Sequence, residues 1–264
     1  MALSTPFQQR VQKLATVFSV RYSSRRIDPK ANFDSSRRRG PQKEGDFFYR
    51  VTRELSYLLR HGALHERVPI RPDGYVNVDT LLKHPPMRGL GLNELRRIVS
   101  QDNKSRYNLR REIVDGVGSW WIRANQGHSM PGITPELEPI MSSKDIPMAV
   151  HGTTLAAWTL ISKSGLSRMT RNHIHLAQGY VGSVISGMRK SSQILVFIDV
   201  SKALEAGIPF FLSSNGVVLT PGDSDGYLQP NFFSNVRYAN PTKLADPVPG
   251  WTALPRATRT SPTH

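Results

Sequence analysis

The chain has 264 residues, 38% of them hydrophobic, with 35 Lys+Arg against 20 Asp+Glu and a formal net charge of +15. No run approaches the roughly 20 apolar residues of a membrane helix, and the absence of cysteine excludes disulfides, thiol catalysis and Cys-based zinc sites. The length allows two small domains or one larger one, and the cationic surplus favours a polyanionic partner, nucleic acid or an anionic membrane.

Residues 1–45 do not read as fold. No acid precedes Asp28, whereas Arg10, Lys13, Arg21, Arg25 and Arg26 stand among several Ser and Thr. That composition reads either as an organellar transit peptide or as a disordered basic extension with loose RNA affinity. Arg37-Arg38-Arg39 reads as a nuclear signal or as a solvated charge run. A cytoplasmic or nuclear protein is expected, with a mitochondrion or plastid as the organellar alternative.

From Phe47 the apolar residues Phe47, Phe48, Val51, Leu55, Leu58 and Leu59 recur at helical spacing, and Gly62 is a natural stop. Arg60 and His61 fall in the last turn, where the helix dipole alone would favour cations. Pro72-Asp73-Gly74-Tyr75 is a turn leading into Val76-Asn77-Val78. Helices are predicted over Val78–His84 and Leu92–Ser100. Two β-like runs follow, Ser105–Ile113 and Ser119–Ala124, joined by the hairpin turn Asp115-Gly116. Helices followed by a hairpin suggest a winged-helix domain over 46–129. Lys104 and Arg106 share a face if strand geometry reaches back to Lys104; alone they would be an ordinary basic edge. The Pro- and Met-rich stretch 130–147 reads as a linker.

A second domain is expected over 148–240. Met148-Ala149-Val150 is a short strand entering His151-Gly152-Thr153, where a glycine lets backbone approach a ligand. Leu155–Ser164 is helical and ends at Gly165. Ile194–Ile198 is a continuous apolar run, a strand buried on both faces. Phe210–Ser213 and Val217–Thr220 flank Asn215-Gly216, a strong hairpin signal. Short strands with one helix make this domain mainly β. The polar, Pro-rich stretch 241–264 is expected to be disordered. No Rossmann fingerprint, P-loop or Gly-x-Ser-x-Gly elbow occurs.

The run Met169–Ala177 holds the densest chemistry. Read as a strand, it puts Arg171, His173 and His175 on one face and Asn172, Ile174 and Leu176 on the other. Three readings compete: a solvated polar face, a His-x-His metal site, or a pocket for something anionic and polar. Zinc needs three or four ligands, and the only acid between Ile146 and Val200 is Asp199. Metal therefore ranks last and none is expected. His151-Gly152-Thr153 before the run and Ser186-Gly187-Met188-Arg189 after it favour the anion pocket.

Taken together, Leu58-Leu59-Arg60-His61-Gly62, Lys104-Ser105-Arg106-Tyr107, Ile122–Ser129, His151-Gly152-Thr153, Met169–Leu176, Ser186-Gly187-Met188-Arg189 and Ser213–Val217 resemble, in order, the motifs of the NAD-dependent tRNA (RNA) 2′-phosphotransferases. The resemblance runs from about Phe47 to Val236. It implies an α+β protein, an N-terminal winged-helix RNA lobe plus a C-terminal, mainly β, ADP-ribosyltransferase-like lobe that binds NAD as co-substrate. It implies removal of the 2′-phosphate left at a tRNA splice junction, through an ADP-ribosylated RNA intermediate. Products would be 2′-OH RNA, nicotinamide and ADP-ribose 1″,2″-cyclic phosphate. The family's catalytic set corresponds to Arg60, His61, Arg106 and Arg171. Its NAD pocket corresponds to His151, Gly152, Thr153, His173, His175 and Arg189, and RNA contact falls to Lys104 and Arg106. Tyr107 stands where Phe is expected; both are aromatic. A monomer with no membrane association is expected.

The chemistry agrees with this resemblance. A phosphate monoester is already an anion at neutral pH, carrying about −1.5 to −2 charge, and needs no base to become a nucleophile. Arginine forks pair its oxygens bidentately, and a histidine is the natural donor to a departing 2′-oxygen. Two rivals remain: an NAD- or RNA-binding protein with an inactive site, and ADP-ribosylation of terminal phosphates on RNA or DNA.

Overall fold

The computed structural model describes residues 41–114, 116–179, 188, 189 and 191–252. By its contacts the chain divides into Met1–Tyr49 and Arg50–His264. Of the first unit, residues 41–49 are described and are helical throughout. Helix α1 spans Pro41–Tyr57 and passes into a π-helical turn, Leu58–Gly62. The predicted helix from Phe47 thus begins earlier and does not stay α-helical to its end.

In the second unit, β1 (Val76–Asn77) leads directly into α2 (Val78–Lys83), because the Asn77 side chain accepts from Thr80 N–H at 3.1 Å and caps it. Helix α3 (Leu92–Ser100) coincides with its prediction, and Glu94 reaches back to Gly91 N–H at 2.8 Å. Strands β2 (Tyr107–Val114) and β3 (Val117–Ala124) pair antiparallel, and the sheet order is β1-β3-β2. Asp115, in the predicted hairpin turn, lies outside the described residues. Strand β2 begins at Tyr107, so Lys104 and Arg106 lie in the preceding turn and do not share a strand face.

The segment 130–147, expected as a linker, is built into the fold. Met130, Ile133, Ile140 and Ile146 are buried, and β4 (Glu138–Ile140) pairs with β9 (Phe210–Leu212). Its prolines suggested loose chain, but short strands at a sheet edge tolerate them. β9 pairs with β10 (Val218–Thr220), and β10 with β7 (Ile174–Leu176), in the order β4-β9-β10-β7.

A second sheet, in the order β12-β8-β5, joins β5 (Val150–Thr153), β8 (Ile194–Ile198) and β12 (Phe233–Tyr238). Helix α4 (Leu155–Ser164) is capped by Thr154 and stopped by Gly165 at φ +87°. A Cβ there would stand 2.5 Å from Leu228 O, so only glycine makes this turn. The small pair β6 (Leu166–Ser167) and β11 (Tyr227–Leu228), helix α5 (Val200–Glu205) and β12 had no counterpart in the sequence reading.

The two larger sheets meet where Val150 and Ala177 exchange backbone hydrogen bonds of 2.9 and 2.7 Å. Their shared core includes Trp158, Ile174, Leu176, Val196, Phe210 and Phe233. The tail expected to be disordered from 241 joins this core. Val248 is buried, Trp251 packs against Phe233, and Trp158 Nε1 donates to Pro249 O at 2.7 Å. Residues 253–264 lie outside the described residues. The result is an α+β chain with a mostly β C-terminal region. Among the described residues no helix is long and apolar enough to cross a membrane.

Candidate functional site

Arg60 and His61 come from the π-helical turn, whose extra residue per turn departs from the i, i+4 spacing of the preceding helix. Behind them, Leu58 and Leu59 are buried and anchor the turn. Arg60 O accepts from Ser129 N–H at 2.9 Å. Gly127, at φ +91°, lies against the Arg60 side chain; a Cβ there would touch its Cδ at 3.4 Å. The Arg60 Nε and Nη2 atoms are buried with no hydrogen-bond partner among the described residues. Its pKa is lowered, first by burial and, after an opposing contribution from Tyr107, by the charges of Arg171 and Arg106, with Asp102 opposing last. Three of the four predicted catalytic residues therefore converge on one place.

The fourth is beside them. His61 Nδ1 lies 2.8 Å from Ser129 Oγ. Burial, then Arg171 and Arg60, holds its imidazole below the ordinary histidine value. Arg106 follows a turn made by Ser105 at φ +45°, whose carbonyl accepts from Asn125 Nδ2 at 2.7 Å. Lys104 Nζ reaches Met188 O at 3.5 Å.

Only Ile174–Leu176 of the predicted central strand is a strand. Residues 169–173 turn instead, starting with Met169 at φ +54°, and Arg168 Nη1 donates to Arg171 O at 3.1 Å. Arg171 thus belongs to a turn, not to a strand face with His175. Burial, then Arg189, lowers its pKa.

His151 and His175 are brought together by the meeting of the two sheets, with His151 Nδ1 3.1 Å from His175 O. His175 Nε2 is buried and has no partner among the described residues. Burial, followed by Arg171 and Arg60, pushes its imidazole down to about 3. His151 is lowered by burial, then by Arg189 and Arg171, against the bond to His175 O. His173 packs edge-on to Phe211 at 6.0 Å and is lowered by burial, then by Arg168. In all three, burial favours the uncharged imidazole. Thr153 is buried, and its carbonyl accepts from Gln193 N–H at 2.8 Å. Gly152 is closely approached by its neighbours: a Cβ there would sit 2.4 Å from Ser192 Oγ and 2.6 Å from Met188 Cγ. Arg189 is exposed; Ser186 and Gly187 lie outside the described residues.

Several contributors had no role in the sequence reading. His128 is buried, its Nε2 has no partner among the described residues, and its carbonyl accepts from Asn172 N–H at 2.9 Å. Ser129 holds His61, and Asp102 holds Arg106. An Asp two residues before a basic turn is an Asx-turn signal that would have found Asp102. No group of three or more His, Cys, Asp or Glu side chains able to hold a metal occurs among the described residues.

Residues 48–222 match the sequence pattern of the family described as "RNA 2'-phosphotransferase, Tpt1 / KptA family". The chain is 44% identical over 210 residues to tRNA 2'-phosphotransferase 1 of Homo sapiens, covering 78% of this chain and 82% of the relative. It is 44% identical over 209 residues to tRNA 2'-phosphotransferase 1 of Danio rerio, covering 78% and 92%. With the tRNA 2'-phosphotransferase of Saccharomyces cerevisiae it shares 37% identity over 180 residues, covering 64% and 77%.

Proposed function

This chain belongs to the RNA 2′-phosphotransferase family, and from that premise we propose that it removes the 2′-phosphate left at a tRNA splice junction by transferring it to NAD. The products would be 2′-OH RNA, nicotinamide and ADP-ribose 1″,2″-cyclic phosphate. The observation that carries the reading is the Arg60 guanidinium, buried with unsatisfied N–H groups and within electrostatic reach of Arg106 and Arg171. A buried cation without a counter-ion is costly. A phosphate dianion would supply both the charge and the acceptor oxygens that three guanidiniums require.

In this reading Arg60, Arg106 and Arg171 grip the phosphate and stabilise its charge as the bonds change, the main source of rate in phosphoryl chemistry. His61 protonates the departing 2′-oxygen. Its Nδ1 is engaged by Ser129, which leaves Nε2 for the transfer. Arrival of the dianion raises the His61 pKa and so charges the acid when it is needed. No carboxylate is assigned as a base, because the nucleophile is already ionised.

The donor set suits NAD. His175 Nε2 is a buried polar atom with no partner among the described residues, burial disfavours charge on the neighbouring imidazoles, and Arg189 offers an exposed cation to a pyrophosphate. His151, Gly152, Thr153, His173, His175 and Arg189 would hold it. When bound, NAD supplies a ribose carbon open to attack and nicotinamide as leaving group. No metal takes part. On the same reading, α2, α3 and the β1-β3-β2 sheet form a winged-helix RNA lobe, and the sheets after residue 148 an ADP-ribosyltransferase-like lobe.

The test is product analysis with NAD and an RNA carrying an internal 2′-phosphate, in the presence of chelator. Nicotinamide and 2′-OH RNA should appear in equal amounts. An internal 2′-phosphate that persists while terminally phosphorylated RNA is modified would overturn the proposal.

A further inference from the structure

The turn between α3 and β2 carries a carboxylate in a region otherwise given over to cations. The Asp102 side chain is 5% exposed. Its Oδ2 accepts from the backbone N–H of Arg106. Its Oδ1 accepts from Arg106 Nη1 and, at 3.3 Å, from Lys104 N–H. The turn is also braced from the C-terminal region. Asn215 Nδ2 donates to Lys104 O at 3.1 Å, and Ser213 Oγ donates to Asn215 Oδ1 at 2.8 Å, fixing which end of the amide faces the turn.

We propose that Asp102 is a positioning residue for the phosphate site: it fixes the Arg106 guanidinium and offsets one of three converging positive charges before RNA arrives. The inference rests on reading Arg60, Arg106 and Arg171 as the phosphate grip. Three guanidiniums repel one another in the absence of an anion, and a free arginine side chain has several rotamers to lose on binding. A carboxylate that engages one guanidinium and two backbone N–H groups lowers both costs in advance. Preorganisation of this kind appears in turnover, because charge donors already in place need no reorganisation at the transition state. The cost is a negative charge near a dianionic substrate. Three donors engage its oxygens, and its removal would ease phosphate approach. Loss of Asp102 therefore has a specific signature: turnover falls while KM for RNA does not rise.

The experiment is a double-mutant cycle with a parallel spectroscopic readout. Asp102→Asn keeps the side-chain shape and removes the charge. Its kcat on 2′-phosphorylated RNA should fall about 10-fold or more, with KM for RNA unchanged or lower. In an Arg106→Ala background the same substitution should cost less than about 2-fold, because the group it positions is gone. Equal losses in both backgrounds, or no loss in either, would overturn the proposal. Guanidinium NMR of the full chain supplies a readout independent of turnover. The Arg106 signal, assigned by its absence in Arg106→Ala, should show restricted rotation that collapses in Asp102→Asn; an unchanged signal would also overturn it. Should Asp102→Asn fail to fold, Asn215→Ala removes the outer brace and should give a smaller loss that likewise vanishes without Arg106. If the wild-type chain releases no 2′-phosphate at all, the functional reading falls, and the NMR arm still decides the role of Asp102.

Discussion

His128 is 3% exposed, and its imidazole sits near Arg60, Arg123, His61 and His173. Burial first, and those neighbours after it, hold it at about 4. In the unfolded chain it titrates near 6.5, so between those values the unfolded state binds more protons than the folded one. The sign follows: this group's stabilisation is complete above pH 6.5 and is lost as the pH falls from 6.5 towards 4, by up to about 3 kcal/mol. His175, held at about 3, acts in the same direction. We expect Tm to decline steeply over that interval and His128→Asn to flatten the slope; a variant with the parent's pH profile would remove burial of His128 as the cause. At this scale the sequence grouped the candidate side chains but not the residues that hold them. Motif order grouped Arg60, His61, Arg106 and Arg171, and the structure places Arg106 and Arg171 within electrostatic reach of Arg60, and Arg171 and Arg60 within reach of His61. Asp102 and Ser129 act only through atoms that turns bring close, and no periodicity marks them.

The elements with strong local signals coincide with their predictions: Leu92–Ser100 and Leu155–Ser164 by helical period and caps, Ile194–Ile198 by its unbroken apolar run. The failures share a cause. Strands of two or three residues such as Glu138–Ile140 and Tyr227–Leu228 are too short for alternation to be read, and form because a partner strand is already there. The π-helical turn at Leu58–Gly62 is likewise invisible to a 3.6-residue period. The segment after Pro241 looked unstructured because its few apolar residues are scattered, yet Val248 and Trp251 reach the core beside Phe233. Trp251 is partly buried, so Trp251→Ala should cost about 2 kcal/mol in urea unfolding, below the range for a fully buried aromatic. A change under about 0.5 kcal/mol, the scatter of surface substitutions, would show that the segment adds nothing to the fold.

Across the whole molecule, charge is unevenly spread. The first forty residues hold nine Lys and Arg against two acids, so nearly half of the +15 precedes the family match that begins at residue 48. Composition alone therefore overstated the cationic character of the region that carries the site. The pairing of Glu138–Ile140 with Phe210–Leu212 bears on how the molecule can be divided. The segment that looks like a natural seam is a hem stitched along the border of the C-terminal sheet. A polypeptide beginning at Ile146 would bare the outer backbone of Phe210–Leu212, and an uncovered border of that kind recruits strands from other copies. Such a fragment should self-associate with rising concentration in light scattering, and one beginning at Thr134 should do so far less. Equal scattering from the two would mean that the hem guards nothing. Where a gene for this enzyme is split, fused or permuted, the safe boundary lies before that hem, not within it.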